Sequence, residues 1–205
     1  MGVDLARYGN DKCVAKIIQE RGPLKWEVKH TERWGKKNLM ESTGRIVDLM
    51  TRFKLDAVAI DGDGLVGVCD RLTELKYNIN EFHGGWSGEK HVEAFNSYGN
   101  VKTEWFHKLA DLINMGYMGE IDQLTMDSLL TVMFTHKSNG QKMIISKEIM
   151  CSKGFKSPDD ADALMMALWA SQFIGRKIED NEDYKTPTMA ARGKSGNLFK
   201  LAGFR

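Results

Sequence analysis

The sequence has no long apolar run and no strong excess of either charge. None of its apolar stretches approaches the roughly 20 residues that cross a bilayer. Its start, MGVDLARYG, lacks the basic and then apolar segments of a secretory signal. We therefore expect an intracellular protein without membrane contact. With 29 basic against 28 acidic residues, any nucleic-acid surface must come from local clustering of charge.

Cysteine is also scarce. The three cysteines, Cys13, Cys69 and Cys151, lie far apart and form no C-x-x-C pair. This spacing argues against a disulfide framework and against a zinc knuckle, and predicts reduced, buried thiols. The 205 residues are 42% apolar and 28% charged, a composition typical of one globular domain with a sizeable core.

Hydrophobic periodicity predicts a mixed order of strands and helices. Three strands come first and form an antiparallel meander, at residues 2–7, 12–20 and 24–34. Helices and further strands then alternate, with helices at 38–53, 62–75, 103–118 and 157–174 and strands at 56–61 and 77–83. Residues 84–95 are glycine-rich and loop-like, residues 122–134 are helical or extended, and Asn139-Gly140 indicates a β-hairpin.

This order predicts an α/β fold in which helices cover both faces of one mixed sheet. We expect one domain over residues 1–175, followed by a polar, loosely held C-terminal tail over residues 176–205. Several unrelated activities use such a sheet, so the function has to come from the site.

Two aspartates stand at unusual places in the predicted strands. Asp4 lies between Val3 and Leu5 in the first strand, where an unpaired carboxylate is costly. Asp61 ends the apolar run DAVAID and is followed by Gly-Asp-Gly, which allows a sharp turn. Ligands of open α/β sheets bind at this carboxyl end of the strands.

A third group of acids lies in SPDDADALMMALW. Ser157 suits an N-cap and Pro158 the first helical position, so Asp159 and Asp160 fall in the first turn, where capping and the helix dipole explain them. Asp162 is different, because the helix around it is apolar on nearly all sides and the side chain must face protein. Asp159 and Asp162 are three residues apart and share a helix face.

Carboxylates from separate elements can lie together only if their charge is cancelled. Mg²⁺ suits an acid cluster without histidine or thiolate, since it takes few carboxylates and keeps waters and phosphate oxygens in its shell. Two such ions about 3.5–4 Å apart would activate a water and stabilise the leaving oxygen of a phosphodiester. The acids therefore predict a nuclease.

Four segments carry a resemblance to a known family: GVDLARYGNDK, AIDGDGLVGVCDRL, EAFNSYGNVKTEWFHKLADLI and MIISKEIMCSKGFKSPDDADALMMAL. In this order, over residues 2–173, they resemble the nuclease domain of the large terminase subunit of tailed bacteriophages. The serine-lysine-glutamate step before SPDDADAL is the most specific feature. The resemblance implies a ribonuclease H-like fold with an added β-hairpin. It also implies an endonuclease that cuts concatemeric viral DNA during packaging, in the host cytoplasm, with two Mg²⁺ or Mn²⁺ ions.

Carried over by position, the resemblance makes Asp4, Asp61 and Asp162 the catalytic, metal-binding acids. Asp159 matches an auxiliary position that is acidic or histidine in related Holliday-junction resolvases, and we include it among the ligands. Asp63 falls where the family has a small or variable residue, and it either joins the site or solvates the turn.

The family's motor ATPase domain is missing from these residues. The one GKS, in RGKSG, lacks the first glycine of a phosphate-binding loop and the strand before it. We therefore expect the chain to be the C-terminal part of a longer protein, with Met1 an added start. Double-stranded DNA is the expected substrate, and the resemblance implies the motor domain, the small terminase subunit and the portal as partners.

DNA contact is expected from lysines between the hairpin and the last helix. Five lysines face one glutamate there: Lys137, Lys142, Lys147, Lys153 and Lys156. Lysines bind phosphates without reading sequence, so we expect nearly sequence-independent, salt-sensitive cutting. A solvated hairpin surface is the alternative for any one of them.

Three other functions stay open. One is a resolvase-like nuclease. Another is an actin-like or sugar-kinase-type ATP-binding domain, whose sheet also begins with G-[IV]-D. That class needs a glycine-threonine turn after the first strand, where this chain has ARYGND. The third is a catalytically silent DNA-packaging module, against which the retained acids argue.

Overall fold

The computed structural model describes residues 1–6, 12–35, 38–64, 66–88 and 97–174. The predicted tail at 176–205, the RGKSG segment and most of the glycine-rich loop at 84–95 lie outside these residues. Within them, no helix is long and apolar enough to cross a membrane.

A five-stranded mixed sheet forms the centre of the fold, in the order β3-β2-β1-β4-β5. Its strands are β1 (Gly2–Asp4), β2 (Cys13–Gly22), β3 (Lys25–Trp34), β4 (Ala59–Asp61) and β5 (Asn80–Phe82). The first three strands pair antiparallel, whereas β4 runs parallel to β1 and β5 parallel to β4. The predicted meander followed by parallel strands is confirmed.

Helices cover both faces of this sheet, as predicted. They are α1 (Leu39–Phe53), α2 (Val66–Glu74), α3 (Val101–Asn114), α4 (Gln123–Thr131), α5 (Lys147–Ser152) and α6 (Asp159–Ala170), the last followed by a short 3-10 turn at Ser171–Phe173. One core cluster packs α1 and α2 against the sheet through buried Ile46, Leu49 and Leu72. The other packs α3 and α6 through Leu109, Leu164 and related apolar residues.

The predicted hairpin is present as β6 (Phe134–His136) and β7 (Lys142–Ile144), joined by a five-residue loop. Gly140 in this loop has φ +84°, a conformation that glycine adopts without strain. The hairpin is anchored to the start of α3, where Ile144 N donates to Thr103 Oγ1 at 2.9 Å and Gly99 N donates to Lys142 O at 2.8 Å.

Several element boundaries differ from the sequence prediction. β1 ends at Asp4 rather than at residue 7. α3 begins two residues early, because the Asn100 side chain caps it by accepting from Thr103 N. The short α5 was not predicted, and its N-cap is Ser146. Residues 122–134, predicted as helical or extended, contain helix α4.

The predicted start of the last helix is wrong. Pro158, not Ser157, stands at the N-cap of α6, and no side chain caps that end. The Ser157 hydroxyl donates to the Asp159 carboxylate instead. Among the cysteines, Cys13 and Cys69 are buried as expected, whereas Cys151 is exposed because it lies on the outer side of the short α5.

Candidate active site

Strand alternation brings Asp4 and Asp61 to the same face of the sheet. Side chains two residues apart in a strand point to the same side, so Asp4 lies on the side of Gly2, and Asp61 on the side of Ala59. In the register of β1 and β4, Gly2 stands beside Ala59. Since both strands are parallel, the two aspartates end neighbouring strands at the same edge.

Helix α6 crosses this face in very close contact with β1. A Cβ atom added to Gly2 would lie 2.1 Å from Ala167 N and 2.3 Å from Ala163 O, so no side chain fits between the two backbones. This approach places Asp162 of α6 over the end of β1. Asp162 is 5% exposed and Asp4 is 8% exposed, so both carboxylates are largely removed from water.

Three of the four aspartates expected to bind metal, Asp4, Asp61 and Asp162, line one cavity of about 180 Å³, whereas Asp159 does not line it. Asp63, Lys102 and Lys147 also line it. We use the name acid cluster for the four carboxylates proposed from the sequence: Asp4, Asp61, Asp159 and Asp162. They come from three elements far apart in the chain, and the fold brings them to one place.

The electrostatics of the acid cluster show an excess of negative charge. Burial raises the pKa of Asp4 well above its ordinary value, and the neighbouring Asp162 and Asp159 raise it further. Burial also raises the pKa of Asp61, against the opposing effect of a hydrogen bond from Asp63 N to Asp61 Oδ1 at 3.0 Å. Both carboxylates therefore favour a nearby positive charge.

Lys102 supplies one positive charge, and the sequence did not indicate it. Its Nζ donates to Asp162 Oδ2 at 2.9 Å and lies 2.7 Å from Asp162 Oδ1. Burial lowers the pKa of Lys102, but the carboxylates of Asp162 and Asp4 together raise it more, so the net shift is upward and the ammonium is retained. Lys102 occupies the second position of an ordinary amphipathic helix. Only the docking of that helix end on the cavity makes it a site residue.

Lys147 supplies a second positive charge. Its Nζ lies 3.1 Å from Asp159 Oδ1, and the pKa of Lys147 is raised because the effects of Asp4 and Asp159 outweigh that of burial. Of the five lysines expected to contact DNA, this one is therefore placed at the acid cluster itself. Lys147 is the first residue of α5, a helix that was not predicted, and this position places its side chain at the acid cluster.

Asp160 points away from the cavity. Its carboxylate lies 2.6 Å from Arg33 Nη2 and 3.2 Å from the Nζ of Lys16, which is fully buried. Asp122 pairs with the same two cations, at 2.9 Å from Lys16 and 2.8 Å from Arg33. We call these four residues the balanced network. It ties β2 and β3 to α4 and α6, and it accounts for Asp160 without a metal.

The remaining lysines lie on the hairpin and on the segment between α5 and α6. Lys137 and Lys142 are on the hairpin, where the Lys142 ammonium lies 5.5 Å from the centre of the Tyr98 ring. Lys153 and Lys156 are exposed between α5 and α6.

The acid cluster does not form a ready-made metal cage. Within the ranges the structure describes, no three histidine, cysteine, aspartate or glutamate side chains are grouped closely enough to hold a metal ion. Two of the four acids are instead paired with lysines. The chemistry of the donors still suits a hard divalent cation, because every acid at the cavity offers carboxylate oxygens. Asp162 Oδ1 is buried and accepts no hydrogen bond of good geometry, although it lies within ion-pair distance of Lys102.

Comparison with known proteins gives matches at the level of structure. No family model and no curated protein matches the sequence. The nuclease domain of the large terminase subunit gp2 of bacterial virus Sf6 matches with a TM-score of 0.64 and 21% identity, over 82% of this chain and 88% of that one. The fold is that of a terminase nuclease domain.

A second terminase nuclease, from thermophilic phage G20c, matches with a TM-score of 0.59 and 16% identity, over 82% of this chain and 79% of that one. The G20c nuclease has also been solved with bound magnesium, and that structure matches at 0.59 and 17% identity over 81% and 77% of the chains. A variant of the Sf6 domain has been solved with manganese. The resemblance seen in the sequence is thus confirmed for the fold.

Proposed function

We propose that this chain is a metal-dependent DNA endonuclease that cuts concatemeric viral DNA during genome packaging. The observation that carries the proposal is the meeting of Asp4, Asp61 and Asp162 on one cavity. Three buried or half-buried carboxylates at that point are costly without a cation. The pKa values of Asp4 and Asp61 are raised and Asp162 is paired with Lys102, and such perturbed acids are typical of functional sites. The fold shared with two phage terminase nucleases supports the same activity.

Asp4, Asp61 and Asp162 would hold the metal, with Asp159 at the edge of the cluster. Mg²⁺ or Mn²⁺, the ions found with the structural neighbours, would supply Lewis-acid chemistry at the phosphodiester and lower the pKa of a bound water. The protein's own contribution is to bury the carboxylates on the rigid ends of β1 and β4 and on α6. Lys102 and Lys147 hold Asp162 and Asp159 in place.

Five lysines would bind the DNA backbone. Lys137 and Lys142 are on or beside the hairpin strands, Lys153 and Lys156 lie on the segment between α5 and α6, and Lys147 lies at the acid cluster. Ammonium groups neutralise phosphates without reading bases, so cutting should show little sequence preference and weaken steeply with salt. By resemblance, the natural partners are a terminase motor domain, the small subunit and the portal, in the host cytoplasm.

A plasmid assay tests this function. The purified chain should nick and then linearise supercoiled plasmid in Mn²⁺ or Mg²⁺, and EDTA should stop the reaction. Asp61→Asn should abolish cutting, because the neutral amide lacks the negative charge with which a carboxylate binds Mg²⁺. Asp70→Asn is the matched control, since Asp70 is an exposed acid of α2 and should leave the rate unchanged. ATP hydrolysis without DNA cleavage would contradict the proposal and favour the kinase-like alternative.

A further inference from the structure

The turn that follows β4 is held in place by the end of β5. Gly62 N donates to Phe82 O at 3.0 Å, which extends the pairing of the two parallel strands by one residue. A Cβ atom on Gly62 would lie 2.6 Å from the Cε1 atom of His83, so the imidazole packs directly on this backbone. Only glycine leaves room for the ring at that distance.

His83 also contacts the same turn through a polar group. Its Nδ1 lies 2.8 Å from Asp63 Oδ1, and because a carboxylate only accepts, the ring nitrogen donates. Its Nε2 lies 3.4 Å from Glu81 Oε2, and its ring lies 4.7 Å from the ring of Trp86. The imidazole is thus oriented on three sides.

Asp63 also contacts the proposed ligand Asp61. The backbone N–H of Asp63 donates to Asp61 Oδ1 at 3.0 Å. On the other side, a Cβ atom on Gly64 would lie 2.8 Å from Asp61 Oδ2. The turn therefore holds Asp61 Oδ1 by a hydrogen bond and brings the Gly64 backbone close to Asp61 Oδ2.

The segment that begins at His83 also supports the opposite wall of the cavity. Trp86 O accepts from Val101 N at 2.7 Å, and Gly84 O accepts from Lys102 N at 3.2 Å, so this segment holds the first turn of α3. Lys102, which pairs with Asp162, extends from that turn.

We propose that His83 and Asp63 are a positioning pair that orients the Asp61 carboxylate for the metal, and that Asp63 is not itself a ligand. The inference rests on the proposed metal-dependent function. The Asp63 side chain is 61% exposed and its carboxylate is engaged by His83, whereas Asp4 and Asp162 are largely buried. An acid whose charge is used to hold an imidazole stabilises the turn, and loss of such an outer contact commonly weakens metal affinity by about 10- to 100-fold.

Calorimetric titration with Mn²⁺ in the absence of DNA tests the pair. His83→Ala should raise the dissociation constant for Mn²⁺ about 10-fold or more. His83→Asn should restore most of the affinity, because its amide can place an N–H donor near the position of Nδ1. Asp63→Ala should match His83→Ala. Asp63→Ala is also a check on misfolding of His83→Ala, because it removes the same contact by truncating a more exposed side chain.

Asp63→Asn separates positioning from ligation. The asparagine Oδ1 can still accept from His83, so affinity should stay within about threefold of the unaltered chain, whereas loss of a true ligand should cost about 100-fold or more. His136→Asn, at an exposed hairpin histidine, is the control for metal affinity. In the plasmid assay, His83→Ala should need more Mn²⁺ for half-maximal cutting and approach the normal rate at saturation.

Two results would overturn the inference. One is normal Mn²⁺ affinity in both His83→Ala and Asp63→Ala, and the other is a loss in Asp63→Asn as large as in Asp61→Asn. Failure of the unaltered chain to bind Mn²⁺ and cut DNA would instead overturn the proposed function, and the inference with it.

Discussion

Two groups of charged side chains meet at the start of α6 and differ in their charge balance. In the balanced network, two acids face two bases, and Lys16 also donates to Thr31 and Thr125. In the acid cluster, four carboxylates share the ammonium groups of Lys102 and Lys147. Neighbouring aspartates in the chain, 159 and 160, belong to different groups.

The pKa shifts of Asp122 in the balanced network and of Asp4 in the acid cluster have opposite signs. For Asp122, burial raises the pKa, but hydrogen bonds from Thr125 and Lys16 lower it more, so the net shift is downward. For Asp4, burial and the neighbouring carboxylates both raise the pKa. Balanced charges stabilise a fold, whereas uncompensated acids lower its stability and are retained where a cation is needed. A buried carboxylate therefore indicates a functional site only when its ion-pair and hydrogen-bond partners are also known.

The largest effect expected from this comparison is on catalysis. Asp162→Asn should reduce plasmid cutting by about 100-fold or more, since it alters a proposed ligand directly, whereas changes to outer contacts cost about 10- to 100-fold. Asp160→Asn, two residues away, should keep the cutting rate at temperatures where the protein stays folded. If Asp160→Asn lost cutting as completely as Asp162→Asn, the division into two groups would be wrong.

The balanced network should show the largest effect on stability. Lys16→Met keeps the side-chain length but leaves Asp122 and Asp160 with one cation, so the free energy of unfolding should fall by about 3–5 kcal/mol. Urea denaturation measures this change. Lys12→Met is the control because Lys12 is exposed beside the same strand, and it should change stability by less than about 0.5 kcal/mol. A similar loss in both variants would contradict a specific role for the network.

Removing a charge from the acid cluster should have the opposite effect. Without metal, Asp4→Asn should raise the free energy of unfolding at neutral pH by roughly 1 kcal/mol, or about 2–4 °C in Tm. The pKa of Asp4 is raised in the folded state, so its penalty is full above the folded pKa and disappears below the unfolded pKa, near about 3.9. The stabilisation by Asp4→Asn should therefore vanish as the pH falls to the unfolded pKa of about 3.9. Metal-free melting curves at several pH values measure it, and an unchanged or lowered Tm at neutral pH would contradict it.

Asp122 should give the smallest effect, with the reverse pH dependence. Its folded pKa is lowered, so the stability it contributes is present above the unfolded pKa and is lost as the pH falls through the folded value. Asp122→Asn should therefore lower stability at neutral pH and have progressively less effect in acid. The loss should stay within about 1 kcal/mol because the carboxylate is partly exposed. An equal loss at low and neutral pH would show that the charge is not responsible.

Much of the fold followed from local patterns. Alternation and apolar runs predicted the antiparallel meander, the parallel strands and the helices on both faces, since burial of apolar side chains imposes these periods. The boundaries that differed depend on tertiary contacts. α3 begins early because of the Asn100 cap, and α5 is too short for a periodic signal.

For the site, the sequence by itself determined that Asp4, Asp61 and Asp162 stand where unpaired acids are costly. That conclusion needs only the apolar residues around each of them. The helix face shared with Asp162 and the family resemblance favoured Asp159 over Asp160, but the sequence did not indicate Lys102 or the role we infer for His83. Only the tertiary structure decided these, because the direction of a side chain and the identity of its partners depend on how α3 and α6 pack on the sheet. Charge pairing across such contacts joins residues separated by 60 positions in the chain, as between Lys102 and Asp162, and no local pattern records it.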